Sequence, residues 1–250
     1  MSTVIYYFSA TGNSLTTARK LAAALGDCTL VPAVAAGRQL AVEESAEAVG
    51  FVFPVYYGDM PYPMRNLISR MVFKPGAYIF AVATCRGHAG AAYHRMDQLL
   101  RTRGMKLSYG ESVKMPGNSF INAPEVDAEY LRLQDDRVRE VASALFAQEA
   151  MDFASSEIYP LAPVAYPNNF RGIAAEDTCI GCGICAALCP MENISLAEGR
   201  ARIGQACATC LACFHWCPAE AIWMSRQENI ARRAKYHHPE VALEDIRAQK

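Results

Sequence analysis

Apolar residues in the first 150 positions follow two alternating patterns, short continuous runs and stretches with a helical period. The continuous runs predict buried strands, and the periodic stretches predict amphipathic helices between them. The predicted strands are 4–8, 28–31, 49–53, 78–84 and about 106–114, and the predicted helices are 13–25, 64–71, 89–101 and about 125–150. Strands that alternate with helices indicate an α/β domain at 1–150, with a doubly wound parallel sheet.

The pattern breaks after residue 150. Pro160, Pro163 and Pro167 lie close together and precede an Asn-Asn pair, which predicts an extended linker at 151–173. A smaller module follows at 174–225, and within it 179–194 matches 207–222 as an internal repeat. The mixed-charge tail at 226–250 is predicted to be helical at its start, and we assign it no chemistry.

Composition narrows the possible partners. The chain has 250 residues, of which 52% are hydrophobic, and its formal net charge is −1. A near-neutral charge and the absence of a long basic run argue against nucleic acid as a partner. Its apolar stretches are shorter than the about 18 residues that a membrane helix needs. The N-terminus lacks the charged region of a signal peptide, so we expect a cytoplasmic protein without a membrane span.

The ten cysteines are unevenly distributed along the chain. Cys28 and Cys85 stand alone, whereas the other eight fall within a short segment. These eight are Cys179, Cys182, Cys185, Cys189, Cys207, Cys210, Cys213 and Cys217. In a chain without a secretion signal, such a group indicates metal binding and not disulfides.

The clustered cysteines form the pattern Cys-x-x-Cys-x-x-Cys-x-x-x-Cys-Pro twice, which is typical of bacterial ferredoxins with two [4Fe–4S] clusters. In that arrangement the fourth cysteine of each motif binds the other cluster. The predicted ligands are Cys179, Cys182, Cys185 and Cys217 for cluster one, and Cys189, Cys207, Cys210 and Cys213 for cluster two. The alternative is structural zinc, which uses paired Cys-x-x-Cys knuckles and needs no third evenly spaced cysteine.

His215 and Trp216 lie inside the second motif. A histidine at this place could bind metal or relay protons. We interpret His215 instead as a partly exposed surface residue.

A loop rich in hydroxyl groups follows the first predicted strand and opens the first helix. Backbone N–H groups at a helix N-terminus favour an anion, and the absence of Lys and Arg suits a phosphate monoester held by neutral donors. The loop lacks the Gly-Lys-Ser/Thr of a Walker motif. The alternative is a well-capped helix, with Thr11 or Asn13 as the cap. The loop consists of Ser9, Ala10, Thr11, Gly12, Asn13 and Ser14.

Two further loops follow the third and fourth predicted strands. In a sheet of order 2-1-3-4-5, all three loops share the carboxyl edge at the switch point, where ligands bind. Tyrosine rings there offer flat faces for stacking, although core or surface packing is the alternative. The candidate residues are Pro54, Val55, Tyr56, Tyr57 and Gly58 in one loop, and Thr84, Cys85, Arg86, Gly87, His88 and Gly90 in the other.

The segment 9–14 resembles the phosphate loop of flavodoxins, whose pattern is Ser/Thr-x-Thr-Gly-Asn-Thr/Ser. The opening Tyr-Phe-Ser-Ala-Thr-Gly-Asn-Ser is similar to that of flavodoxin–ferredoxin fusion proteins of anaerobic prokaryotes, and the resemblance covers about 1–225. It implies a flavodoxin-like domain followed by a small α+β ferredoxin-like domain. It also implies FMN, with the phosphate on the loop at 9–14 and the ring between the loops at 56–58 and 84–90. The Asn-Tyr pair that relatives often show after the fifth strand lacks its tyrosine here.

Two reactive residue types lie in the third loop. Cys85 could be a reactive thiol and His88 an acid–base group, but we expect ordinary packing for Cys85 and a surface position for His88.

Three functions remain open. The first is an electron-transfer flavo-iron–sulfur protein that passes electrons between FMN and two [4Fe–4S] clusters, with a redox protein as partner. The second is an FMN-dependent reductase of a small acceptor such as a quinone or nitro compound, in which the clusters supply electrons. The third is a redox sensor.

Overall fold

The structure is a computed structural model that describes residues 2–119, 123–153, 169 and 171–250. Most of the linker predicted at 151–173 lies outside these residues, and so does the predicted extended form of its proline-rich part. Within the described residues, no helix has both the length and the apolar character that are required to cross a bilayer.

The first part of the chain alternates strands and helices as the sequence predicts. Its strands are β1 Thr3–Tyr7, β2 Cys28–Pro32, β3 Val42–Glu44, β4 Ala48–Pro54, β5 Met71–Phe73, β6 Tyr78–Cys85 and β7 Tyr109–Lys114. Its helices are α1 Asn13–Leu25, α2 Ala33–Ala36, α3 Tyr62–Ile68, α4 Ala92–Arg101 and α5 Pro124–Phe146. The sequence pattern misses the short elements β3, β5 and α2.

Five parallel strands form the central sheet in the order β2-β1-β4-β6-β7. The two short strands β3 and β5 pair with each other outside it. Without them the order is 2-1-3-4-5, so the predicted flavodoxin-like doubly wound fold is confirmed.

The core lies on both faces of this sheet. In β4 every residue from Ala48 to Phe53 is buried, because helices cover both faces of a parallel sheet and each side chain therefore meets the interior. Phe80 of β6 fills the space beside Gly50, where a Cβ atom would lie 2.3 Å from the Phe80 ring. The carboxyl ends of β1, β4 and β6 consequently lie at fixed positions along one edge.

The small module is an α+β domain, as predicted. Its elements are β8 Ile173–Ala175, α6 Ile184–Leu188, β9 Ile194–Ala197, β10 Arg200–Ile203, α7 Ala212–His215 and β11 Ile222–Met224. Strand β8 pairs with β11, and β9 pairs with β10, in both cases antiparallel. The internal repeat is visible because α6 and α7 each begin within a cysteine motif.

The tail contains α8 Glu228–Ala231 and α9 Leu243–Arg247, so its predicted helical start is confirmed. It packs on the first domain. Val241 and Ile246 are buried in the same apolar cluster as the central sheet. Arg19 of α1 forms an ion pair with Asp245 at 2.5 Å, and Lys20 forms one with Glu240 at 3.0 Å.

Candidate cofactor sites

A cavity of about 300 Å³ opens at the carboxyl edge of the sheet, between the three loops that the sequence predicted to meet there. Of the predicted loop residues, it is lined by Ser9, Ala10, Thr11, Asn13, Ser14, Pro54, Val55, Tyr56, Tyr57, Gly58, Thr84, Cys85, Arg86, Gly87 and His88. Gly12 and Gly90 are not among the lining residues. The switch-point argument therefore located the cavity correctly.

Gly12 shapes the first loop. It has a φ of 100°, in the region that favours glycine, and a Cβ atom there would lie 2.8 Å from Cβ of His238. The N–H of Gly12 donates to Oγ of Ser9 at 3.1 Å. Gly12 is also the N-cap of α1, and no side chain caps the helix. The alternative in which Thr11 or Asn13 caps α1 is therefore wrong.

The carbonyl groups of this loop are bound by the C-terminal part of the chain. Nε2 of Gln249 donates to the carbonyl of Ser9 at 2.8 Å, and Nε1 of Trp216 donates to that of Ala10 at 2.9 Å. The N–H of His238 donates to the carbonyl of Thr11 at 2.7 Å. These three contacts fix the backbone of 9–11, immediately before the N-terminus of α1, where the first-turn N–H groups lack intrahelical acceptors.

Further hydrogen bonds fix the side chains beside these N–H groups. Oγ of Ser14 lies 2.7 Å from Oγ1 of Thr84. Nδ2 of Asn13 donates to the carbonyl of Pro116 at 2.8 Å, and the hydroxyl of Tyr236 donates to Oδ1 of Asn13 at 2.6 Å. The loop thus contains ordered, neutral polar groups and no Lys or Arg, a composition that fits a phosphate monoester at a helix N-terminus.

The tyrosines of the second loop have different surroundings. Tyr56 is buried, with 4% of its surface exposed, and its hydroxyl donates to the carbonyl of Cys210 at 3.4 Å. Tyr57 has a φ of 53°, and the guanidinium of Arg171 lies over its ring, 5.0 Å from the centroid. That one of these rings stacks on a flavin stays a prediction.

The third loop approaches the second closely at Gly90. A Cβ atom on Gly90 would lie 2.5 Å from Cα of Gly58, so only glycine fits. Cys85 is buried, and burial raises the pKa of its thiol, in agreement with ordinary packing. His88 is exposed, and its Nδ1 accepts the N–H of Gly90 at 3.1 Å. The expected surface position of His88 is confirmed.

Two parts of the cavity wall are not among the predicted site residues, although the segment after the fifth strand was noted for its missing tyrosine. One is the loop after β7, from Met115 to Ser119, and the other is Arg171, which is 3% exposed. The switch-point rule could have indicated the loop, because it follows a sheet strand. No sequence signal indicated Arg171, which precedes β8 at the end of the predicted linker.

Two smaller cavities lie in the ferredoxin-like module, and four cysteines line each. One is lined by Cys179, Cys182, Cys185 and Cys217, and the other by Cys189, Cys207, Cys210 and Cys213. These are the two predicted quartets, including the exchange of the fourth cysteine between motifs. Among the described residues, no three His, Cys, Asp or Glu side chains are close enough to hold one ion in common.

Backbone donors surround the sulfur atoms. The N–H of Thr209 donates to Sγ of Cys207 at 3.3 Å, and the N–H of Ala221 donates to Sγ of Cys217 at 3.3 Å. Burial raises the pKa of Cys210 to about 12, so without metal this thiol stays protonated at neutral pH. Bound iron would supply the positive charge that deprotonates such a thiol.

The second quartet adjoins the large cavity. The carbonyl of Cys210 accepts hydrogen bonds from the hydroxyl of Tyr56 at 3.4 Å and from Nδ2 of Asn118 at 3.1 Å. Both donors line the large cavity. Cys213 packs against the small apolar cluster that contains Cys185 of the first quartet. The three cavities therefore follow one another through the molecule.

His215 is buried, with 2% of its surface exposed, so its interpretation as a partly exposed residue is wrong. The reason is that α7 packs between the loop after β7 and the tail. The N–H of Tyr236 donates to Nδ1 of His215 at 3.1 Å, so Nε2 carries the proton and donates to the carbonyl of Asn118 at 2.8 Å. Burial lowers the pKa of His215 to about 3. The neutral imidazole of His215 thus connects the loop after β7 to the tail.

Comparisons with known proteins show a similarity to ferredoxins in the small module. The 4Fe-4S binding domain family matches residues 175–195, which include the first cysteine motif. A ferredoxin from Pyrobaculum islandicum is 34% identical over 67 residues, which are 26% of this chain and 63% of that protein. This chain therefore covers less than two-thirds of the length of that ferredoxin.

Solved flavoproteins are similar in structure to part of this chain. A flavodoxin from the domain Archaea covers 57% of this chain and 99% of its own, with 19% identity and a TM-score of 0.34. A flavodoxin from Streptococcus pneumonia TIGR4 covers 59% of this chain and 98% of its own, with 16% identity and a TM-score of 0.38. At these values the fold assignment depends on the strand order described above.

Proposed function

From a chain that joins a flavodoxin-like fold to a ferredoxin-type 4Fe–4S segment, we propose an electron-transfer flavo-iron–sulfur protein with FMN and two [4Fe–4S] clusters. A cluster transfers one electron at a time, whereas a flavin accepts one or two, so such a protein couples one-electron and two-electron redox partners. The observation that carries the proposal is the wall that the two sites share: Tyr56 and Asn118 line the large cavity and both donate to the carbonyl of Cys210.

The residues of the large cavity fit FMN. Ser9, Thr11, Asn13 and Ser14 offer neutral polar groups at the N-terminus of α1, where the phosphate would bind. Tyr57, together with the loops at 56–58 and 84–90, offers an apolar wall for a ring. The hydrogen bonds to the carbonyls of 9–11 fix the backbone of the loop, so an anion at the N-terminus of α1 would meet a site that is already ordered.

The two quartets fit [4Fe–4S] clusters, each with four thiols around one cavity. Cluster two would adjoin the flavin site through Cys210. Cluster one would lie nearer the surface, since Cys182 is exposed and the neighbouring Ile180 has 67% of its surface exposed. A redox protein that docks at this end could exchange electrons with cluster one, and cluster two would connect cluster one to the flavin.

Anaerobic purification followed by chemical analysis tests this proposal. The expected content per chain is about eight iron, about eight acid-labile sulfide and about one FMN. Zinc in place of iron, or protein that does not bind added FMN, would overturn it. Cys28→Ser is a suitable control, because Cys28 lies in β2, outside both quartets, and its loss should leave the iron content unchanged.

A second candidate is the FMN-dependent reductase of a small acceptor, which one observation favours. Arg86, Gly87 and His88 are exposed at the rim of the large cavity, so this side is accessible to solvent. Steady-state assays with quinones and nitro compounds separate the two functions. Saturable turnover that is lost without FMN would support the reductase, whereas flavin oxidation only by a redox protein would support the carrier.

A further inference from the structure

Arg171 is a buried cation at the large cavity. Its exposed fraction is 3%, and it lies among the residues that line the cavity wall. Nη1 and Nη2 both donate to Oγ of Ser119 at 3.1 Å, and the guanidinium covers the ring of Tyr57 at 5.0 Å. These neutral partners orient the group but do not neutralise its charge.

No carboxylate of the described part of the chain forms an ion pair with Arg171. Its Nε has no hydrogen-bond acceptor there either. The contrast is Arg95, which is also largely buried and pairs with Asp59 at 2.7 Å. A buried cation without a counterion is unfavourable, so a negative charge in the adjoining cavity would be stabilised.

The partners of Arg171 indicate which part of a ligand it meets. Tyr57 and Ser119 belong to the loops after β4 and β7, whereas the phosphate-type site is the loop after β1. The contacts of Arg171 described above include none with residues 9–14. In the proposed arrangement this is the region of the flavin ring and not of its phosphate.

We propose that Arg171 favours the reduced, negatively charged flavin over the oxidised flavin in this cavity. The inference depends on the proposed function, since it assumes that FMN binds there. Oxidised flavin takes up two electrons and one proton to form an anionic ring. A one-electron reductant supplies the electrons through the clusters in two steps, and water supplies the proton. The guanidinium then lies beside a group that gains one negative charge.

A second anionic centre is close to Arg171, and the experiment must separate the two. Cys207 belongs to the second quartet. Burial raises the pKa of its thiol, and the positive charge of Arg171 opposes that increase. A purely cluster-directed role would change the potential of cluster two and leave the flavin unaffected. The two centres absorb differently in the visible spectrum, so their potentials can be followed in one titration.

The test compares Arg171→Gln, Arg171→Lys and the control Arg226→Gln in the full chain. Arg226 is exposed, and its N–H donates to the carbonyl of Arg171 at 3.2 Å, so the control removes a charge next to the site without altering the cavity wall. Two quantities are measured: the Kd of oxidised FMN for protein stripped of flavin, and the midpoint potentials of the bound flavin and of the clusters. Together they give the preference for reduced over oxidised FMN.

In Arg171→Gln we expect this preference to fall about tenfold or more, as for a lost hydrogen bond or contact to a charged group. Arg171→Lys should retain most of it, and Arg226→Gln should match the wild type. Iron and sulfide content show whether each variant is folded. Should Arg171→Gln lose its clusters, Arg171→Lys, which keeps the positive charge, is compared with Arg171→Met, which removes it. The same measurements then give the preference for reduced over oxidised FMN in each variant.

Three results would overturn the inference while the proposed function stands. They are an unchanged preference in Arg171→Gln, a shift confined to the cluster potential, and equal weakening of oxidised and reduced FMN with weaker binding of inorganic phosphate, which would indicate a phosphate contact. A wild-type chain that binds no FMN would overturn both the function and the inference.

Discussion

The flavodoxin-like and ferredoxin-like parts of the chain differ in how they are stabilised. The first has a five-stranded sheet with apolar residues on both faces, and they join in one extensive buried cluster. The second has only short strands and two small apolar clusters, one of which contains Ile173, Leu211, Phe214, Ile222, Met224 and Ala231. Hydrophobic burial is therefore sufficient for the first part but limited in the second.

The comparison teaches that the small domain needs further sources of stability. One is metal, because clusters bound to the two quartets in the proposed arrangement would contribute directly to folding. The other is contact with the large domain, since Leu188, Cys210 and Ala212 belong to the apolar cluster of the sheet. The large domain in turn contacts both C-terminal parts, because Trp216 of the small domain and His238 and Gln249 of the tail donate to the carbonyl groups of the phosphate-type loop.

The largest effect is expected from Cys210→Ala, which should remove cluster two and reduce iron from about eight to about four atoms per chain. Electron exchange between cluster one and the flavin should also be lost. Cys182→Ala is the matched variant: it should remove cluster one but retain the cluster beside the flavin. Iron and sulfide assays with visible spectra measure both. Equal iron content in wild type and both variants would contradict the assignment of ligands.

Deletion of 236–250 tests how far the phosphate-type loop depends on the tail. The carbonyl groups of Ser9 and Thr11 would lose their donors, so the backbone of the loop would no longer be fixed. We expect FMN affinity to fall about a hundredfold, the loss of two or more hydrogen bonds. Arg247→Ala on the exposed side of α9 is the control. Unchanged affinity of the shortened chain would show that the loop keeps its conformation without the tail.

A smaller effect is expected within the loop itself. Thr11→Val removes a hydroxyl that lines the cavity, and loss of one hydrogen bond to a charged phosphate should weaken FMN binding about tenfold or more. Titration of flavin-free protein with FMN measures the Kd. Thr29→Val, on the exposed side of β2, should bind as the wild type does. Equal affinity in both variants would remove Thr11 from the phosphate site.

The smallest effect concerns His238, which joins the tail to α5 through Gln134, with Nε2 and Oε1 3.1 Å apart. Burial lowers its pKa from the ordinary value of 6.5 to about 4, while Lys20 opposes and Glu240 and Asp135 favour the charged form. The folded state therefore favours the neutral form of the His238 imidazole. This contribution is complete above pH 6.5 and is lost as the pH falls from 6.5 toward about 4.

Amide hydrogen exchange of 236–242, corrected for its intrinsic pH dependence, measures this effect. Protection should fall between about pH 7 and pH 5 in the wild type. His238→Gln keeps a donor for Gln134 but cannot gain a proton in this range. An identical pH dependence in that variant would assign the titration to another group.

The sequence predicted the large domain well because its signals are local and periodic. The loops after β1, β4 and β6 could be located since the strand order brings them to one edge. The two groups of four cysteines that line the smaller cavities could be predicted, because the spacing of the motifs indicates which thiols lie near one another.

The junction between the domains could not be predicted, because its contacts are distant in sequence and carry no periodic signal. His215 looks like a surface residue within its motif, and only the packing of α7 against Asn118 and Tyr236 buries it. Gln249 bonds to Ser9, 240 positions away, through an ordinary polar side chain. Arg171 likewise became part of the cavity only through tertiary structure.

The central claim is that the flavin and cluster two form one electron-transfer unit within a single chain. Rapid mixing of the anaerobic protein with less than one equivalent of a one-electron reductant tests it most directly, with flavin and cluster absorbance followed in time. The account predicts that electrons pass between clusters and flavin at a rate independent of protein concentration, and that Cys210→Ala abolishes this phase. A rate proportional to protein concentration, or the same rate in Cys210→Ala, would contradict it.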